Sequence, residues 1–106
     1  MISVAQIKKF IDREHIRLCN QPSSSKDPEK RSLSRCVKLS EEVGELSEAV
    51  LYSMYDLRKD KLKKENNIAH EIADVIIVSL LLAKNMNINP FKALEEKINI
   101  INNRKN

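Results

Sequence analysis

Apolar residues recur along this chain at the spacing of an α-helix in four segments, which short polar stretches separate. The first segment follows Ser3, a residue suited to cap a helix, and is predicted to end near Cys19. Its apolar stripe contains Val4, Ile7, Ile11, His15 and Leu18. We expect the histidine at the edge of the core. The Pro, Ser and Asn content of residues 20–28 predicts a loop, either a connector or a segment that folds over a ligand.

The second segment predicts a long helix from about Ser32 to about Arg58. Its narrow apolar stripe contains Leu39, Val43, Leu46, Val50, Met54 and Leu57. Gly44 lies in the middle of this helix, where glycine costs up to ~1 kcal/mol relative to alanine. Close approach of another backbone or a ligand would explain it, and so would chance.

Four carboxylates crowd the middle of this second helix, and they do not point the same way. Glu42 falls on the edge of the apolar stripe, and Glu45 lies further round on the same side. Glu41 and Glu48 point nearly opposite to the stripe, so they are expected in solvent. Glu42 and Glu45 are therefore the pair that faces one flank of the core.

The third segment predicts a helix from Ile68 to Lys84, after a solvated connector at residues 58–67 and a cap at Asn66 or Asn67. Its stripe contains Ile68, Ile72, Val75, Ser79 and Leu82. Residues 75–83 are apolar on every face apart from the serine. That pattern indicates burial all round, inside the domain or at an oligomer interface.

A second carboxylate pair, Glu71 and Asp74, lies on the third helix among aliphatic residues. Carboxylates that face buried aliphatics are costly unless they are paired or bind a metal. The stretch from His70 to Asp74 lacks the second histidine of an H-E-x-x-H zinc motif. Two helices that each present two carboxylates three residues apart predict a four-carboxylate cage for a hard divalent cation such as Mg²⁺.

The fourth segment begins at Asn89-Pro90, a strong helix start, and is predicted to run from Pro90 to Asn103. Its inward residues are expected to be Phe91, Leu94, Ile98 and Ile101. Lys97 and Arg104 share a face, either as solvated charges or as phosphate contacts. The four segments predict an all-α helix bundle that forms one domain over residues 1–106.

Composition narrows the class of protein. The 106 residues include 42% hydrophobic residues, 4% aromatic residues and a single glycine, which favours helices over a sheet. The net charge of +4 comes without a basic stripe interleaved with aromatics, so no stable nucleic-acid partner is expected.

No apolar run is long enough to span a bilayer, and residues 1–9 lack the apolar core of a signal peptide. The spacing of Cys19 and Cys36 is not that of a metal-binding motif. We expect two reduced thiols in a cytoplasmic protein, and the alternative is a single disulfide between them.

The acidic pattern Glu41-Glu42-x-x-Glu45 followed by Glu71-x-x-Asp74 resembles the MazG-like family of all-α nucleoside triphosphate pyrophosphohydrolases. Lys38-Leu39 before the first acids, Gly44 before Glu45, Ala73 before Asp74 and the aliphatic run that follows are also similar. The stretch from Glu96 to Arg104 is more loosely similar to the closing element of the family. The resemblance covers about residues 33–104.

The resemblance implies a four- to five-helix bundle that assembles into a homodimer or homotetramer and hydrolyses an NTP or dNTP to the monophosphate and pyrophosphate. The implied metal is Mg²⁺, with Mn²⁺ as the alternative, and its implied ligands are Glu42, Glu45, Glu71 and Asp74. Glu41 would orient or deprotonate the attacking water. The implied phosphate contacts are Lys38, Lys97 and Arg104. A competing hypothesis is a helical, oligomeric interaction module of the same fold without catalysis.

Overall fold

The computed structural model describes the backbone of residues 1–55 and 61–104, and the side-chain surroundings of residues 1–55 and 67–104. These residues form four helices: α1 (Val4–Cys19), α2 (Pro28–Tyr55), α3 (Lys61–Asn85) and α4 (Pro90–Asn102). No strand occurs in the described ranges. The predicted all-α class is therefore confirmed.

Helix α1 begins and ends where the sequence predicts. The Gln6 N–H donates to Ser3 Oγ over 3.1 Å, and the Ser3 N–H donates to Gln6 Oε1 over 2.8 Å. These reciprocal hydrogen bonds form a capping box, which satisfies two donors at the helix terminus. The helix ends at Cys19, and residues 20–27 form the predicted loop.

Helix α2 begins at Pro28, one turn before the predicted Ser32. The Asp27 carbonyl accepts the Arg31 N–H over 3.0 Å, and the Asp27 carboxylate accepts the Glu29 N–H over 3.0 Å. Asp-Pro starts this helix by the same chemistry that Asn-Pro supplies at residue 90. The predicted end at Arg58 lies outside the described residues.

Helix α3 begins at Lys61, so the predicted cap at Asn66 or Asn67 is wrong. Lysine, leucine and glutamate, which fill the start of this helix, are good helix formers, and an asparagine inside a helix costs only ~0.7 kcal/mol or less. The predicted connector is therefore helical from Lys61 onward. Its first residues, 58–60, lie outside the described part of the chain.

The C-terminus of α3 is closed by a Schellman motif. The Ile88 N–H donates to the Ala83 carbonyl over 2.9 Å, and the Asn87 N–H donates to the Lys84 carbonyl over 3.2 Å. Asn87 takes a φ of 56°, the left-handed conformation that this motif requires and that asparagine tolerates.

Helix α3 is the centre of the packing, because α2 packs along it and α1 packs against its C-terminal half. Ile11 of α1 and Leu81 of α3 are the buried apolar residues of the described chain. Beside them, Lys84 Nζ lies 2.8 Å from Asp12 Oδ1. The resulting apolar core is small.

Helix α4 begins as predicted, since Asn89 Oδ1 accepts the N–H groups of Phe91 and Lys92, each over 3.1 Å. The prediction that its apolar residues point inward is wrong beyond the first turn. Phe91 is half-buried, under the Lys8 ammonium at 5.6 Å from the ring centroid. Residues 94, 98 and 101 are 56%, 48% and 51% exposed, because α4 makes at most marginal contact with the other described helices.

The apolar stretch at residues 75–83 is only partly covered within one chain. Leu81 is buried, whereas Ile76 is 54% exposed and Ser79 is exposed. Met54, which was predicted for the core stripe of α2, is exposed as well. None of the helices in the described ranges has both the length and the apolar character needed to cross a membrane.

Candidate metal centre

Helices α2 and α3 bring three carboxylates together. One oxygen from each of Glu42, Glu45 and Glu71 lies within 4.8 Å of the other two. The i, i+3 spacing places Glu42 and Glu45 one turn apart on α2, and Glu71 approaches them from α3. We call these three residues the acidic centre.

The burial of the acidic centre is uneven. Glu42 is only 7% exposed, Glu71 is half-buried and Glu45 is exposed. Oxygen Oε2 of Glu42 and Oε2 of Glu71 are both buried, and neither has a hydrogen-bond partner in the described part of the chain. A buried polar atom without a partner costs ~1–3 kcal/mol, and more when it is charged. The site therefore has acceptor oxygens that its own side chains leave unsatisfied.

The charges of the acidic centre act on one another. Burial raises the pKa of the Glu71 carboxyl, and the negative charges of Glu45, Asp74 and Glu42 raise it further. Repulsion of this kind is relieved by a proton or by a bound cation. Carboxylate oxygens are among the ligands that Mg²⁺ and similar hard cations prefer. The residues present thus fit a divalent metal ion.

Asp74, the fourth predicted ligand, is placed differently from the other three. It is exposed and does not belong to the group of three converging oxygens. The expectation that it faces buried aliphatics is not met in a single chain, because Asp74 is exposed. Its charge still raises the pKa of Glu71, so it lies at the edge of the acidic centre. Its ligand role stays a prediction.

Lys38 lies beside the acidic centre. Its Nζ is 3.3 Å from Glu42 Oε1 and 3.6 Å from Glu41 Oε2. The Glu42 carboxylate, with a smaller contribution from Glu41, raises the pKa of the Lys38 ammonium. Glu41 and Glu48 are exposed, as their helical direction predicts. Glu41 therefore borders the acidic centre through the lysine that it shares with Glu42.

The two remaining predicted phosphate contacts lie on and after α4. Lys97 and Arg104 are both exposed, and no acid of the described residues lies within salt-bridge distance of either. The structure does not join them to the acidic centre, so their phosphate-binding role stays a prediction.

At Gly44, an added Cβ would meet nothing within 4 Å, so no backbone of the described chain approaches it closely.

A second polar cluster, which sequence reasoning missed, lies where α1, α2 and α3 meet. We call it the arginine junction, and it consists of His15, Arg31, Arg35 and Asn85. Buried Asn85 donates to the Pro28 carbonyl over 2.9 Å and to Ser32 Oγ over 2.8 Å, and it accepts from Arg31 Nε over 3.1 Å. The i, i+4 spacing of Arg31 and Arg35 on α2 was the available signal, but it is also ordinary for a solvated helix face.

Arg35 forms the other half of the arginine junction. Its Nη1 donates to the Leu81 carbonyl over 2.7 Å and to His15 Nδ1 over 2.9 Å. Burial lowers the pKa of His15, and the charges of Arg35, Lys84 and Arg31 lower it further, against a smaller opposite effect of Asp12. His15 is thus the predicted core-edge residue. Cys19 and Cys36 are free thiols, as expected.

Comparison with known proteins supports the interpretation of the acidic centre as a metal site. The sequence model of the MazG-like family matches residues 33–105, a stretch that contains the acidic centre and its acidic neighbours Glu41, Glu48 and Asp74. No match was found among the curated proteins or among the solved structures. The family generally uses a divalent metal, which agrees with the donor set of the acidic centre. The matched region spans more than half of the chain, and the protein therefore belongs to the MazG-like family.

Proposed function

We propose that this protein hydrolyses a nucleoside triphosphate, NTP or dNTP, to the nucleoside monophosphate and pyrophosphate with Mg²⁺ as cofactor. Water would add to phosphorus, the anhydride bond between the α- and β-phosphates would break, and the proton of the water would pass to a base. Membership of the MazG-like family suggests an activity of this type. The observation that carries the proposal is a pair of buried oxygens on Glu42 and Glu71, beside Glu45, that have no hydrogen-bond partner among the described residues.

The acids would hold the metal and through it the substrate. Glu42, Glu45 and Glu71 supply converging oxygens, and Asp74 is the proposed fourth ligand at their edge. When bound, Mg²⁺ supplies neutralisation of triphosphate charge and polarisation of a phosphoryl oxygen. Without a cation, the same carboxylates would repel a polyanionic substrate. The acidic centre therefore binds triphosphate only as a metal site.

The remaining roles fall to residues around the acidic centre. Glu41 is the proposed group that orients or deprotonates the attacking water, since it is exposed and shares Lys38 with a metal ligand. Lys38 is close enough to the acidic centre to contact a phosphate held there. Lys97 and Arg104 are proposed as further phosphate contacts, which requires α4 to approach an acidic centre, in the same chain or in another copy.

The competing hypothesis, a non-catalytic oligomeric module of the same fold, draws on the exposed apolar residues of α3 and α4. Those residues support assembly with other copies of the chain, and an assembled protein can also be an enzyme. A module without catalysis has no use for buried carboxylate oxygens that find no partner in residues 1–55 and 67–104 and that cost stability. The acidic centre therefore favours the enzyme.

We also propose that the protein assembles into a homodimer or homotetramer. Helices α2, α3 and α4 expose apolar side chains to water, which is unfavourable, and another copy of the chain would cover them. Among them are Leu33, Val37, Ile72, Ile76, Leu94 and Ile98. Sedimentation at micromolar concentration should show a species of two or four chains, and a monomer at that concentration would contradict this assembly.

The test of the activity is a panel of the common NTPs and dNTPs with Mg²⁺ or with EDTA, with products resolved by chromatography. We expect monophosphate and pyrophosphate in equal amounts, with Mg²⁺ only. Release of inorganic phosphate and a diphosphate would show a different bond being cleaved. No turnover across the panel, together with no Mg²⁺ binding, would favour the interaction module.

A further inference from the structure

Lys38 occupies a special position relative to the proposed metal site. Its ammonium contacts Glu42, the most buried member of the acidic centre, through Oε1 at 3.3 Å, while Oε2 of the same carboxylate has no described partner. Glu41 Oε2 lies 3.6 Å from the same ammonium on the solvent side. One cation therefore sits between a buried proposed ligand and an exposed neighbour.

The ion pair between Lys38 and Glu42 has features that allow it to break easily. The Lys38 side chain is 54% exposed, so solvent makes its attraction to Glu42 weaker than that of a pair with both partners buried. The lysine also precedes the glutamate on the helix, which is the weaker order for an i, i+4 pair. Lysine carries a compact, hydrated charge on a flexible stem, so the ammonium can leave Glu42 without moving the backbone.

We propose that Lys38 is the resident counter-ion of the metal-free acidic centre and competes with the divalent cation for Glu42. In the absence of metal, its positive charge offsets part of the repulsion among Glu42, Glu45 and Glu71. When the metal binds, the ammonium is repelled from Glu42 and becomes available to a phosphate oxygen of the substrate. This inference rests on the proposed function, because it takes the acidic centre to be a metal site.

Competition between Lys38 and the metal predicts the direction in which Mg²⁺ affinity changes when Lys38 is replaced. A divalent cation and a unit positive charge about 6 Å apart in water repel each other by an energy that corresponds to about a tenfold change in affinity. Removal of the Lys38 charge should therefore tighten Mg²⁺ binding about tenfold. The same change should weaken nucleotide binding in the presence of Mg²⁺, because a phosphate contact is lost. A residue that serves only as a phosphate contact would produce the second effect alone.

The experiment compares Lys38→Met, Lys38→Arg and the wild type by calorimetric titration with Mg²⁺ in the absence of nucleotide. Methionine keeps the length of the side chain and its helix propensity but removes the charge. Lys30→Met is the matched control: Lys30 is an exposed lysine two turns earlier on α2, so the net charge changes equally. Thermal melts in EDTA are recorded for the same four proteins.

We expect Lys38→Met to bind Mg²⁺ about tenfold more tightly and to melt at a lower temperature in EDTA, with Lys38→Arg and Lys30→Met close to wild type. Unchanged Mg²⁺ affinity of Lys38→Met, in a wild-type protein that does bind Mg²⁺, would overturn the counter-ion role and leave the proposed function intact. If the wild type binds no Mg²⁺, both proposals fall.

Discussion

The acidic centre and the arginine junction both gather charges of one sign between helices, yet they are completed in opposite ways. In the arginine junction, Arg35 and Asn85 find carbonyl, hydroxyl and imidazole partners within the chain. In the acidic centre, two buried carboxylate oxygens find none among the described residues. A cluster that satisfies itself holds the fold together, whereas a cluster with open acceptors needs something from outside the chain.

The difference follows from the types of residue that surround each cluster. Guanidinium groups have several donors and can bind neutral acceptors, so Arg35 reaches the end of α3 through a main-chain carbonyl. Ionised carboxylates only accept, and their neighbours in the acidic centre are other carboxylates apart from Lys38. The arginine junction should therefore be structural and the acidic centre functional, and variants in each region distinguish the two roles.

The largest expected effect is on activity, from Glu71→Gln. Glutamine keeps the size of the side chain but removes a ligand charge from the acidic centre, so hydrolysis should fall at least ~100-fold. The melting temperature in EDTA should rise, because repulsion from Glu45, Asp74 and Glu42 is relieved. Both quantities are measured on the same preparation, by product chromatography and by a thermal melt.

Glu48→Gln is the control for that variant. Glu48 belongs to the same acidic run on α2 but is exposed and lies outside the acidic centre. It should keep most of the activity and the wild-type melting temperature. Equal loss of activity in both variants would mean that the acidic run acts through its total charge, and the ligand assignment would be wrong.

Asn85→Ala should have the next largest effect, on stability. The change removes the partner of the Pro28 carbonyl, the Ser32 hydroxyl and the Arg31 guanidinium at a buried position. The free energy of unfolding should fall by about 2–3 kcal/mol, as measured by urea denaturation. Asn99→Ala, at an exposed position of α4, should change it little. A variant at Asn85 as stable as wild type would show that the arginine junction does not hold the helices together.

Sequence pattern was sufficient for the number and order of the described helices and for the direction of the acids on α2, and it failed where tertiary contact decides. Spacing alone placed Glu42 and Glu45 on one side of α2, and Glu71 and Asp74 on one side of α3, since helical direction is a local property. Of the four, the structure brings together Glu42, Glu45 and Glu71. It could not find Asn85, whose three partners lie more than fifty residues away in the chain. It also placed Leu94 and Ile98 in the core, because an amphipathic pattern shows that a face needs cover and does not show which surface covers it.

Asp74→Asn tests the boundary of the acidic centre and should have a smaller effect than Glu71→Gln. Asp74 is exposed and outside the group of three converging oxygens, but its charge acts on Glu71. If it is the fourth ligand, Mg²⁺ affinity should fall about tenfold or more in a calorimetric titration. An unchanged affinity would restrict the site to the three glutamates and would assign Asp74 a purely electrostatic influence.

The smallest expected effect is on the pH dependence of stability, where the two regions should act in opposite directions. The pKa of His15 is lowered in the fold from its ordinary 6.5, so the unfolded chain takes up a proton first. Stability from this group is complete above pH 6.5 and is lost as the pH falls below it. The pKa of Glu71 is raised from 4.5, so the folded protein binds that proton first and gains stability as the pH falls towards 4.5.

Melts in EDTA between about pH 7.5 and pH 5 separate the two contributions through two variants. In His15→Gln, the amide oxygen can still accept from Arg35 but does not titrate, so stability should fall less on acidification than in wild type. Glu71→Gln lacks the compensating gain, so its stability should fall more. Saturating Mg²⁺ should make the wild type resemble Glu71→Gln in slope, because a bound cation keeps Glu71 ionised throughout this range. If Mg²⁺ leaves the wild-type slope unchanged, the cation does not bind at Glu71, whatever it does elsewhere on the protein.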